Sequence, residues 1–236
     1  MSATPDQRFG EQTGSDLPSG AFSYQLRHSE RARRVSVTVS REGAVEVVVP
    51  KRLGRKAADA AVNELSDWIS RRLADVERQR SLVNARGTTL PCLGVDLQLV
   101  AQPGRTRVLR KENMLLVPDG DGYREAVERW YRRLARSEFE SRAVHAGTSI
   151  GVRHSALSIR DQRTRWGSCS AQGALSFNWR LLLAPVPVLD YVVWHEVCHL
   201  KHMDHSAHFW ALVSRHCPDY RTHAAWLRTN AATLVL

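Results

Sequence analysis

Residues 190–205 read DYVVWHEVCHLKHMDH, and two patterns are superimposed in them. Leu189, Val192, Val193 and Val197 recur at three- and four-residue steps, the spacing of an apolar helical face. His195 and His199 stand four apart. On a helix they share one face, rotated by only about 40° and separated by about 6 Å along the axis. Two imidazoles so placed can reach one metal ion at about 2.0–2.1 Å each. Glu196 then lies beside the ion, positioned to work on a water rather than to ligate. This is the H-E-x-x-H pattern in the helical context that gives it meaning.

The residue types follow from the chemistry. Neutral imidazole is the usual nitrogen ligand of Zn²⁺, and three protein ligands leave a fourth position for water. The ion lowers the pKa of that water from about 16 to about 7 and polarises a carbonyl, while a neighbouring carboxylate takes the proton and returns it to the leaving group. Five of the ten histidines fall between 195 and 208, so a third ligand is sought there. His202 continues the stripe of His195 and His199 but lies about 10 Å along a straight helix from His195, too far to converge. His205 could not converge on a straight helix either. Asp204 or Ser206, however, offers a cap for a new helix, and a turn there returns His205 to the ion. If the helix runs straight through Ser206, His216 and His223 are the alternatives. His202 and His208 are read as ordinary surface or core histidines, and Cys198, facing away from the two imidazoles, as packing.

Outward from this helix the chain changes period several times. Residues 1–20, rich in Gly, Ser, Thr, Pro and Asp, read as a flexible tail. Val35, Val37 and Val39, a turn at Glu42-Gly43, then Val45, Val47 and Val49 form a β-hairpin with period two. One amphipathic helix is expected from Arg55 to about Arg80. Short strands follow at Leu93–Val100 and Thr106–Val117, then a basic helix from about Arg124 to Ala146. Val152–Ile159 and Ala174–Arg180 read as strands flanking Arg165-Trp166-Gly167-Ser168-Cys169-Ser170. Beyond Pro187 the chain is helical, with breaks near Asp204–Ser206 and at Pro218-Asp219. The order predicts an α+β fold: a β-rich N-terminal lobe over 21–117 and a mixed catalytic lobe over 118–236, the two forming one continuous domain over 21–236.

Bulk properties narrow the context. Hydrophobic residues at 43% and charged residues at 25% fit an ordinary globular chain. Leu181–Trp194, the most apolar stretch, is interrupted by Pro185, Pro187 and Asp190 and falls short of the roughly 18 residues of a spanning helix. No membrane association is expected, the N-terminus does not read as a secretory signal, and a cytoplasmic location is expected by default. None of the four cysteines forms a C-x-x-C pair, which argues for free thiols in a reducing compartment. The net charge is +10. The excess is strong between Tyr24 and Lys56, where nine Arg and Lys face Glu30, Glu42 and Glu46. Such a balance leaves nucleic-acid contact through the N-terminal region open.

The chain resembles the YgjP-like family of metal-dependent hydrolases, related to the SprT and WLM zincins. The resemblance rests on Arg165–Ser170, Phe177-Asn178-Trp179-Arg180-Leu181, Asp190–Leu200, and His205-Ser206 followed by Phe209-Trp210. The Arg27, Arg31, Arg33 and Arg34 stretch before a Val-rich strand is also similar. The resemblance implies a zincin-like fold, with His195, His199 and His205 as ligands and Glu196 as base. Zincins line their cleft with an antiparallel edge strand that pairs with an extended peptide, and Ala174–Arg180 is the candidate, with Trp166 and Trp179 as walls or as core. Tyr191, one turn before His195, is a weaker candidate for stabilising an oxyanion. The leading expectation is a zinc-dependent hydrolase of peptide or other amide bonds. The alternatives are a SprT-like DNA-associated zinc protease and a nucleic-acid-binding module with a structural zinc. The last is disfavoured because structural sites are usually closed by four protein ligands, commonly with Cys.

Overall fold

A computed structural model describes residues 22–40, 42–162 and 165–236. The tail expected over residues 1–20 lies outside them. The chain divides into two compact units at Ser81–Leu82.

In the first unit, strands β1 (Tyr24–Ser29), β2 (Ser36–Val39) and β3 (Val45–Pro50) form a sheet in the order β1-β3-β2. The expected hairpin is present: β2 pairs antiparallel with β3, from Ser36 opposite Val48 to Val39 opposite Val45. Gly43 takes φ +86 in its turn, a conformation that favours glycine. β1 was not foreseen and pairs parallel with β3. Helices α1 (Arg55–Glu64) and α2 (Ser66–Asn84) follow where one helix was expected. The break is a single residue, Leu65, after which Asp67 supplies an acid to the first turn of α2. Val45, Val47 and Val49 bury against Ala58, Val62 and Ile69, so the period-two face of the strand meets the helical stripe.

The second unit contains two sheets. β4 (Thr89–Cys92), β5 (Val95–Gln102), β6 (Leu109–Lys111) and β7 (Met114–Pro118) lie in the order β4-β5-β7-β6. These strands were expected in an N-terminal lobe ending at 117. They fall in the second unit because Leu90, Cys92, Leu97, Leu115 and Val117 share one core with the long helix α3 (Tyr123–Ile150). Tyr131 of α3, fully buried, donates its hydroxyl to the Pro91 carbonyl at 2.8 Å. The third sheet comprises β8 (Ala156–Arg160), β9 (Gly167–Cys169) and β10 (Ala174–Asn178), in the order β8-β10-β9.

This order corrects the expectation that Ala174–Arg180 is an edge strand. β10 is the middle strand, paired parallel with β8 and antiparallel with β9. A tight turn closes β9 onto β10, with Ser170 N–H donating to Ala174 O and Gly173 N–H to Ser170 O, both at 2.9 Å. β8 and β9 are therefore the edge strands, and β9 packs against the motif helix.

That helix, α4 (Val186–His199), begins with Pro187 in its first turn, where a missing N–H costs nothing. Its buried residues include Val188, Leu189, Val192, Val193, Val197 and Cys198. A helix apolar on most sides must be surrounded. α4 packs on α3, on β9, and on α5 (Ala207–His216) and α6 (Tyr220–Asn230). Asp190 pairs with Arg142 and fixes α4 on α3. No helix among the described residues is long and apolar enough to cross a membrane.

Candidate metal centre

α4 ends at His199, and the next helix begins at Ala207. Between them the chain reverses through Leu200–Ser206. Leu200, Lys201 and His202 close the helix with N–H bonds at 3.0 Å to Val197 O and twice to Cys198 O. The Asp204 carboxylate then accepts the Ser206 N–H at 3.2 Å. This reversal carries His205 back over α4. Its Nε2 lies 3.2 Å from His195 Nε2. One donor atom from each of His195, His199 and His205 lies within 4.8 Å of the others, the only such group among the described residues.

The rings are held by different means. Phe209 is fully buried beneath them, stacked on His199 at 4.4 Å and edge-on to His195 and His205 at 5.0 and 4.9 Å. His199 Nδ1 lies 2.9 Å from the His202 carbonyl. That contact puts the proton on Nδ1 and leaves Nε2 with its lone pair, the usual way a ligand imidazole is oriented. His195 Nδ1 is buried without a partner among the described residues. Burial lowers the His195 pKa to about 4, with His199 and His205 adding to the effect, so the ring is neutral at physiological pH. Burial also lowers His199, partly offset by the His202 carbonyl.

These features fit a divalent ion. Bonds of 2.0–2.1 Å in tetrahedral geometry set ligand nitrogens about 3.3 Å apart, close to the 3.2 Å between His195 and His205. All three donors are imidazoles, and the cysteines take no part. Cys198 is fully buried, its thiol pushed up to about 12 by burial, as expected of a packing residue. His202 and His208 stack on one another 6.2 Å apart. His216 stacks on Trp194 at 4.3 Å, and His223 leans on Tyr191 at 6.5 Å. None of these four belongs to the converging group.

Glu196 projects from the same helix toward β9 and is only 7% exposed. A methyl group on Gly167 would sit 2.6 Å from Glu196 Cγ and 2.7 Å from its Oε1, so only glycine lets the strand backbone approach this closely. Burial raises the Glu196 carboxyl to about 7, against the opposing pull of the Arg165 guanidinium. A carboxyl poised near neutrality suits proton transfer in both directions. Gly167 was legible only as part of a quoted motif, because its role is a contact across 29 residues of chain. Asn178, 2% exposed, holds Gln162 and Trp166 ahead of Gly167. Its amide donates to Gln162 O at 2.8 Å, its side-chain oxygen accepts Arg180 N–H at 3.0 Å, and its own N–H donates to Trp166 O at 2.8 Å. Trp179 is fully buried and belongs to the core, while half-buried Trp166 packs on its margin. Tyr191 meets His195 edge-on at 5.9 Å.

Three imidazoles converging beside a buried carboxylate are an arrangement that metal-dependent hydrolases use. The chain is a member of the YgjP-like family, whose metallopeptidase domain matches residues 33–230. No curated protein and no solved structure matches it.

Proposed function

We propose that this protein is a zinc-dependent peptidase in which His195, His199 and His205 hold the ion and Glu196 is the general base. The observation that carries the reading is the return of His205 to His195 and His199 beside a carboxylate locked against Gly167. An all-imidazole donor set without thiolate or carboxylate suits zinc, and three protein ligands suit a catalytic rather than a structural site. When bound, zinc supplies a Lewis acid that acidifies water and polarises a carbonyl.

The protein's own groups supply the rest. Phe209 and the His202 carbonyl keep the imidazoles in place before any ion arrives, which lowers the cost of assembling the site. Glu196 takes the proton of the attacking water on its carboxylate and delivers it to the leaving nitrogen, returning to its ionised form. Burial raises the proton affinity of this carboxylate in the metal-free protein, which favours its taking the proton. Among the described residues β9 has no second strand neighbour, and an extended peptide adding to its outer edge beside the motif helix would lie across the site through main-chain hydrogen bonds.

The test is hydrolysis of a mixed peptide library by the zinc-loaded protein, followed by mass spectrometry. Cleavage that a chelator abolishes and zinc restores is expected. A zinc-loaded, folded protein that cleaves no peptide would overturn the peptidase assignment.

A further inference from the structure

We propose that the end of the first sheet where β1 and β3 terminate is a docking surface for the phosphate backbone of nucleic acid. This goes beyond the hydrolytic site and does not depend on it. The parallel register places Ser29 opposite Pro50, so residues 30 and 51 leave the sheet side by side. β2 enters at the same end, since Ser36 pairs with Val48. The loop Glu30–Val35 and the turn Lys51–Gly54 are thereby brought together, although they are distant in sequence. Leu53 N–H donates to Pro50 O at 2.8 Å, so the turn is tight and α1 starts close by.

The charge at this end is one-sided. Arg31, Arg33, Arg34, Lys51, Arg52 and Lys56 are all exposed. The single acid in the two segments is Glu30, which pairs with Lys51 at 2.7 Å. Arg55 turns away onto the Tyr24 ring, 5.8 Å from its centroid. Arg31, Arg33, Arg34, Arg52 and Lys56 have no carboxylate partner among the described residues. α1 adds to the same potential, since its first turn carries no acid and no side-chain cap. On α2, Arg78 pairs with Asp75 at 3.1 Å and Arg80 with Glu77 at 3.7 Å, while Arg71 and Arg72 have no carboxylate partner among the described residues. The uncompensated charge is thus densest at this end, with five such cations against two on α2.

Two features select nucleic acid over an anionic membrane. Four of the five unpaired cations are arginines, whose planar fork matches phosphate oxygens two at a time. Among the described residues, the loop and the turn expose no large apolar side chain that could enter a bilayer. The exposed Leu65 and Trp68 lie beyond the far end of α1.

The test is fluorescence anisotropy of the full chain with a short labelled DNA duplex, titrated from about 50 to 200 mM salt. Binding should weaken linearly in log–log form. R33Q/R34Q/R52Q should lose at least tenfold in affinity at about 100 mM salt and flatten the slope by roughly two to three. R71Q/R78Q/R80Q removes the same formal charge from α2 and should bind within about twofold of the parent. Arg52→Glu alone, at one exposed turn position, should move binding in the same direction as the loop triple and covers the case in which that triple fails to fold. Equal losses in both triples would reduce the effect to net charge and overturn the proposal. So would salt-independent binding, no binding at about 50 mM salt, or tighter binding to phosphatidylserine vesicles than to the duplex.

Discussion

Glu196 and the backbone of Gly167 leave no room for a methyl group between them, and this contact makes a sharp test. In Gly167→Ala the carboxylate must move while the imidazoles stay. The expected result is unchanged metal content with turnover reduced by about 10–10²-fold, since misplacement by about 1 Å can cost that much. Metal analysis and kcat on the same preparation check it. Glu196→Gln should keep both fold and metal and lose about 10²–10⁴-fold in turnover, because an amide cannot accept the proton. Loss of metal in that variant would make Glu196 a ligand and the mechanism wrong. His195, Glu196 and His199 were legible because their relation is local, fixed by helical pitch. Gly167 and Phe209 act through tertiary contacts, which spacing along the chain does not encode.

At the scale of elements, the decisive feature is the reversal from Leu200 to Ser206. It was legible as a choice of capping residues, and the Asp204 carboxylate accepting Ser206 N–H is the form it takes. His205→Ala should remove or severely weaken metal binding. His202→Ala and His208→Ala should keep it, since His202 contributes its carbonyl, which alanine retains. Metal retention after dialysis, measured for the three variants side by side, decides the matter. Full retention in His205→Ala would refute the third ligand. The strand order was less legible. β1 skips β2 and pairs parallel with the second strand of the hairpin, and β10 acquires β8 as a second neighbour. Period-two alternation marks a strand but does not name its partners. Helix periodicity likewise ran through Leu65, because a one-residue break leaves the apolar stripe nearly in phase.

For the whole molecule, the buried site dictates how stability responds to pH when the metal is removed. His195 is lowered from 6.5 to about 4, so between those values the unfolded chain holds a proton there that the folded chain does not. Its contribution to stability falls as the pH falls through that window. Glu196 is raised from 4.5 to about 7, so in the folded chain it holds a proton that the unfolded chain has lost. Its contribution rises as the pH falls through that window. Between about 4.5 and 6.5 the two effects oppose one another, and His199, also lowered, adds to the side of His195. Glu196→Gln deletes the opposing effect alone. The metal-free variant should therefore lose stability on acidification from pH 6.5 to 4.5 more steeply than the metal-free parent. The difference should approach one proton's worth, about 1.4 kcal/mol per pH unit. Urea unfolding of both proteins at several pH values measures it. Parallel stability curves would mean that the folded protein does not hold a proton on Glu196, and that burial against Gly167 does not set its affinity.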